Sequence, residues 1–110
     1  MIVCTLRILL SETDCCQVIT SLEPLIAWTR VQAGCRACHL LTDIEEPRAL
    51  VLWEEWDSQE HLDSHLRSED YRRVLAAMEL SQEAPVLHFD IVASRAGFEV
   101  VEAARLPPAA

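Results

Sequence analysis

Cys35-Arg36-Ala37-Cys38-His39 spells C-x-x-C-H, the pattern through which c-type haem is attached. That chemistry needs an exposed loop-to-helix setting, export, and usually a second axial ligand for the iron. Here the run opens an apolar strand-like segment, where alternation puts Cys35 and His39 on one face and Cys38 on the other. A second pairing is Cys35-x2-Cys38 with His61-x3-His65, whose histidines share one helical face. The 22 residues between the pairs exceed the finger-type interval of about 12–15, and four ligands must converge on a tetrahedron. Both haem c and zinc are therefore disfavoured, and no cofactor is expected. Cys15-Cys16 adds nothing, because adjacent helical residues point about 100° apart.

The remaining chemistry-bearing residues are scattered. Trp56, His65 and Tyr71 would line a pocket in which an aromatic molecule stacks. Histidine ordinarily exchanges a proton near neutral pH, which makes His65 the candidate general base. The simpler reading is that Trp53 and Trp56 are packing residues on opposite strand faces and that His65 is a capping or dimer-contact residue. Arg7 and His88, weaker substrate-binding candidates, lie with Asp90 in otherwise apolar strands. Buried charges need partners, so Arg7 is expected to pair with Asp90, with Glu54 as a further member of that cluster.

The elements that must position these residues follow from periodicity. Residues 2–10 read as a strand with Thr5 and Arg7 on one face. Ser11 or Thr13 caps a helix with Val18, Ile19, Leu22, Leu25 and Ile26 as its core stripe. Pro24 predicts a kink or break near Leu22–Glu23, and Gly34 ends the helix. Strands over Cys35–Thr42 and Ala49–Trp56 form an antiparallel hairpin around the turn Asp43–Pro47. Asp57 with Glu60 opens a short helix to about Leu66. Ser68 caps another, with Tyr71, Val74, Leu75 and Met78 on one face.

A fourth strand spans 86–92, and Phe98–Leu106 is a fifth strand or an arm reaching a neighbouring subunit. Pro107–Ala110 is expected to be a frayed end. The order is β-α-β-β-α-β, an α+β ferredoxin-like arrangement over residues 1–96, with 97–110 as an extension of the same domain. Ala49–Trp56 is apolar on both faces, so the sheet needs helices on one side and a second cover on the other. That is the argument for a homodimer.

Composition narrows the partners. The 110 residues fit one domain, about half of them hydrophobic, with only two glycines. A net charge of −9, with arginine supplying all nine bases, repels phosphate backbones and anionic membranes. The apolar run Met1–Leu10 lacks a basic start and a small-residue cleavage site, and is shorter than the roughly 20 residues that span a bilayer. A cytoplasmic chain with reduced cysteines is the expectation.

Several ordered pieces carry a family resemblance from Pro24 to Val92. They are Thr29-Arg30 with Ala33-Gly34-Cys35, Glu54-x-Trp56, Leu62-x-x-His65-Leu66-x-Ser68, and Tyr71. Together they resemble the antibiotic-biosynthesis monooxygenase domain. The resemblance implies a homodimer whose two four-stranded sheets form a shared barrel, with a pocket in each subunit between helices and sheet. It also implies oxidation of aromatic polyketides or quinols by dioxygen without metal or flavin. The family's Ser-x-His-aromatic segment reads Ser68-Glu69-Asp70-Tyr71 here, with an acid in place of histidine. In the related haem-degrading branch an iron-binding histidine and a tryptophan stand where this chain has Leu75 and His65, which disfavours haem breakdown. The expected function is oxygenation of a small phenolic or quinol-like aromatic. The alternatives are a dimeric module that binds an apolar molecule without catalysis, and a structural dimer with its interior filled by side chains.

Overall fold

The computed structural model describes residues 1–107; Pro108–Ala110 of the expected frayed end lie outside them. The elements are β1 (Ile2–Leu9), α1 (Glu12–Arg30), β2 (Cys35–Thr42), β3 (Ala49–Trp56), α2 (Gln59–Leu66), α3 (Tyr71–Glu79), β4 (Val86–Ile91) and α4 (Glu99–Arg105). The strands form one antiparallel sheet in the order β2-β3-β1-β4. This is the expected α+β ferredoxin-like arrangement. Strand alternation sends Cys4, Leu6 and Ile8 of β1 to the same side as Leu50, Leu52 and Trp56 of β3. There they pack beneath Val18, Leu22, Leu25 and Ile26 of α1, Leu62 of α2, and Val74 and Ala77 of α3. The opposite face of the sheet, with Thr5, Arg7, Trp53 and His88, carries no helix.

α1 starts where Ser11 accepts a hydrogen bond from the Asp14 amide, and it runs unbroken through Pro24. The expected break is absent because Pro24 and Thr20 both lie on the exposed side, where water can satisfy the carbonyl that proline leaves free. The chain then turns through Gly34, whose φ of +84° is open to glycine without strain. A Cβ there would also stand 2.3 Å from the His61 ring.

Three expectations about the strands change. A bulge between Cys35 and Ala37 inserts one residue opposite β3, so Cys35 pairs with Trp56 and Cys38 with Glu54. Cys35 and Cys38 therefore share the helix-covered face instead of lying on opposite faces. Arg7 does not reach Asp90, which sits across from Val3. Arg7 instead donates to Asp43 at 3.0 Å on the helix-free side, and Glu54 belongs to neither residue. After Gly97 the chain forms the helix α4, not a fifth strand.

Two details of the short helices also differ. Ser58, not Asp57, caps α2 by accepting from the His61 amide, while Asp57 pairs with the His61 ring at 2.7 Å. That contact holds the exposed Asp57 carboxyl below its usual range. Ser68 does accept from the Tyr71 amide, but the buried stripe of α3 is Tyr71, Val74 and Ala77, with Leu75 turned outward.

Candidate functional site

Glu54 is the residue around which the buried polar groups converge. On β3 it alternates with Leu50, Leu52 and Trp56 toward the helices, so an acid occupies a strand position otherwise filled by apolar side chains. Only 4% of it is exposed. The Trp56 indole N–H donates to Glu54 Oε1 at 2.8 Å. His65 Nε2, contributed by α2, stands 3.1 Å from the same oxygen. That contact is within ion-pair range, yet the angle is poor for a hydrogen bond, and Nε2 has no aligned partner. On the other side of the ring, Nδ1 lies 3.4 Å from the Gln32 side-chain oxygen, in the turn after α1.

Aromatic packing fixes the histidine. Its ring centroid is 4.7 Å from that of Trp56 and 5.4 Å from that of Tyr71, the latter edge-on at 74°. His65 is 2% exposed, so the ring is held inside the domain and does not cap or line the surface. The sheet register places Cys4 on one side of Glu54 and Cys38 on the other. Burial, followed by the charge of Glu54, pushes both thiols from 9.0 up to about 12. The same two causes push the Tyr71 phenol up to about 12. At neutral pH these three groups are therefore proton-bearing, and none is a ready nucleophile.

A crevice between β4 and the helices α2 and α3 leads to this cluster. Its lining includes Cys4, Glu54, Leu66, Tyr71, Leu87 and Phe89. Phe89 at the mouth is 43% exposed. The enclosed space is about 10 Å³, room for one water and not for an aromatic ring. Three hollows are roomier: open grooves of about 320 and 400 Å³ flank α1 without a residue of the cluster, and one of about 260 Å³ beside Arg30 and the start of β2 includes only Cys38.

Of the residues singled out from sequence, Trp56, His65 and Tyr71 come together, and Arg7 and His88 do not. Those two lie on the helix-free face, where Arg7 pairs with Asp43 and His88 is exposed across from Thr5. Within the cluster, Tyr71 borders the crevice, whereas His65 and Trp56 sit behind Glu54. Sequence reasoning missed Glu54 as the centre, and Gln32 and Cys4 as neighbours. The signal for Glu54 was present in the alternation of β3. Gln32 reaches His65 only through the turn after α1, which no periodicity encodes. Among the described residues no three histidine, cysteine or acidic side chains are grouped to hold a metal. His61 pairs instead with Asp57 at 2.7 Å.

The sequence profile of the antibiotic biosynthesis monooxygenases matches residues 1–77. The chain belongs to that family. Solved structures agree on the fold. A crystal structure of an antibiotic biosynthesis monooxygenase superposes with a TM-score of 0.76 at 21% identity, covering 86% of this chain and 100% of its own. A Mycobacterium tuberculosis protein gives 0.77 at 23% identity, covering 87% and 98%. A Shewanella oneidensis protein gives 0.70 at 25% identity, covering 84% and 92%. No curated protein matches the chain by sequence. The family residues thus include all of β1 to α2 and most of α3, which carry every member of the cluster. No helix among the described residues is long and apolar enough to cross a membrane.

Proposed function

We propose that this member of the family oxygenates a small phenolic or quinol-like aromatic with dioxygen, using the Glu54–His65 pair as the base. The observation that supports the reading most is the buried Glu54 carboxylate, which borders the crevice on one side and contacts both Trp56 and His65 on the other. A phenol that reached Glu54 would pass its hydroxyl proton to the pair, leaving an electron-rich phenolate. Addition of dioxygen then gives a quinone and water: one oxygen atom enters the ring and the other leaves as water. The four electrons come from the substrate. The protonated Tyr71 hydroxyl would donate a hydrogen bond to the developing anion. Apolar walls at Leu62, Leu66 and Leu87 would keep bulk water from the intermediate.

The reading requires the crevice to widen, because the enclosed space is about 10 Å³. β4 is the element best placed to yield: it is an edge strand, and its helix-side residues Phe89 and Ile91 are 43% and 84% exposed. The same small volume favours a second reading, a structural dimer whose interior is filled by its own side chains. In both readings a second copy covers the helix-free face of the sheet around Trp53. Oxygen uptake across a panel of quinols and naphthols separates them. The oxygenase reading predicts uptake that falls at least about tenfold in His65→Ala while sedimentation still reports a dimer. Uptake equal in the wild type and His65→Ala would remove His65 from the reaction, and no uptake with any of the panel would favour the structural dimer.

A further inference from the structure

Two of the open hollows share Arg30, and neither contains a residue that lines the Glu54 crevice. The larger, about 400 Å³, lies between α1 and the β2 edge of the sheet. Leu40 and Leu50 form its floor, and Ile19, Ile26 and Ala27 form its α1 wall. Small-molecule sites fall in the range of roughly 300–1,000 Å³ and are mostly apolar, with a few placed polar groups. Here Glu23 and Arg30 supply polar groups, two helical turns or about 10 Å apart along α1. The smaller hollow, about 260 Å³, runs from Arg30 to Arg36, Cys38 and His39. Leu40 and Leu50 lie on the helix-covered side of the sheet, so a second copy on the opposite face would leave the groove open.

Arg30 is held in place where the two hollows meet. Its Nε donates to the Cys38 carbonyl at 2.9 Å, and Nη2 stands 3.5 Å from His39 Nδ1. Neither Arg30 nor Arg36 forms an ion pair among the described residues. Asp57, whose carboxyl feels Arg36, is taken up by His61 at 2.7 Å, and Arg36 Nη1 contacts Met1 Sδ at 3.4 Å. A chain of net charge −9 thus keeps an uncompensated positive spot at the end of an apolar groove. Easing the dipole at the last turn of α1 accounts for the charge of Arg30, but not for the groove beside it. A planar guanidinium matches a carboxylate, whose two oxygens it can bind side by side. Glu23 at the far end would repel a second negative charge.

We propose that this groove is a second ligand site, for a small amphiphilic monocarboxylate. Its apolar body lies on Ile26, Leu40 and Leu50, and its carboxylate pairs with the Arg30 guanidinium. The site depends on neither the oxygenase chemistry nor the dimer. Octanoate, octanol and octyl phosphate, each titrated into the isotope-labelled full chain and followed by nuclear magnetic resonance, test it. Octanoate should shift the Arg30 Nε–H and the Ile26 and Leu40 amides saturably at millimolar concentration, leaving the Trp56 indole in place. Arg30→Gln, which keeps a polar side chain without the charge, should weaken octanoate at least about tenfold and leave weaker octanol binding unchanged. Ala27→Glu, on the exposed side of α1, should abolish octanoate binding by placing a negative charge in the groove. Unfolding midpoints of both variants report that the fold is kept. Octanol binding as tightly as octanoate, or octanoate indifferent to Arg30→Gln, overturns the carboxylate site, as does tighter binding of octyl phosphate. Shifts confined to the Trp56 indole would place octanoate in the Glu54 crevice, and no saturable shift would leave the groove without a ligand; either overturns the proposal.

Discussion

Glu54 is nearly buried and needs hydrogen-bond partners where it stands; Trp56 donates to it, and His65 Nε2 lies 3.1 Å from the same oxygen. Removing the carboxylate leaves an indole N–H and a histidine without it. Glu54→Ala is accordingly expected to cost about 3 kcal/mol in urea unfolding, and Glu54→Gln, which keeps an acceptor, clearly less. Equal losses in the two would mean that the oxygen is not accepting from Trp56. The raised thiols and phenol make a second prediction. Cys4, Cys38 and Tyr71 hold their protons in the fold to about pH 12, but their unfolded counterparts lose them near 9 to 10. The native state then binds more protons than the unfolded one across that window, so stability is full below about pH 9 and falls progressively toward pH 12. Chemical denaturation at pH 8 and pH 11 measures it, and Cys4→Ala should flatten the slope. At this scale the convergence of Trp56, His65 and Tyr71 was legible from their order along β3, α2 and α3. That Arg7 and His88 lie apart from them was not legible, because alternation gives a face but not which face the helices cover.

The elements themselves were read nearly to the residue for β1 to β3, since apolar runs bounded by turn residues leave little freedom. The bulge at Cys35–Ala37 was not legible: one inserted residue moves Cys38 to the opposite face and leaves no mark in composition. Pro24 misled for a related reason, because its consequence depends on whether the freed carbonyl meets water. Gly34 is the element-scale position that most constrains the site, joining α1 to β2 beside α2. Its amide neighbourhood is tied to the end of β3 by the Asp57 N–H donating to its carbonyl at 2.9 Å. Gly34→Ala combines a left-handed backbone with a clash against His61 and should destabilise by about 1–3 kcal/mol. Adding His61→Ala should recover part of that loss, the part due to the clash. No recovery in a double-mutant cycle would assign the whole cost to the backbone.

For the whole molecule, the helix-free sheet face is the surface on which the proposed second copy would sit. Trp53, central on that face, is where a charge would be least tolerated there and most tolerated in a monomer. Trp53→Asp is expected to dissociate the proposed dimer in sedimentation while leaving the far-ultraviolet circular dichroism unchanged; a persisting dimer would place the interface elsewhere. The proposed function depends on a different property of the whole, namely whether the crevice under β4 admits a ligand to Glu54. The Trp56 indole N–H, donating to Glu54 inside the cluster, reports this directly by nuclear magnetic resonance. Titration with the quinol and naphthol panel should shift the Trp56 indole resonance saturably, with smaller changes at Trp28 and Trp53. A Trp56 resonance that stays fixed across the panel, while the protein remains folded, would contradict a substrate site at Glu54 and His65.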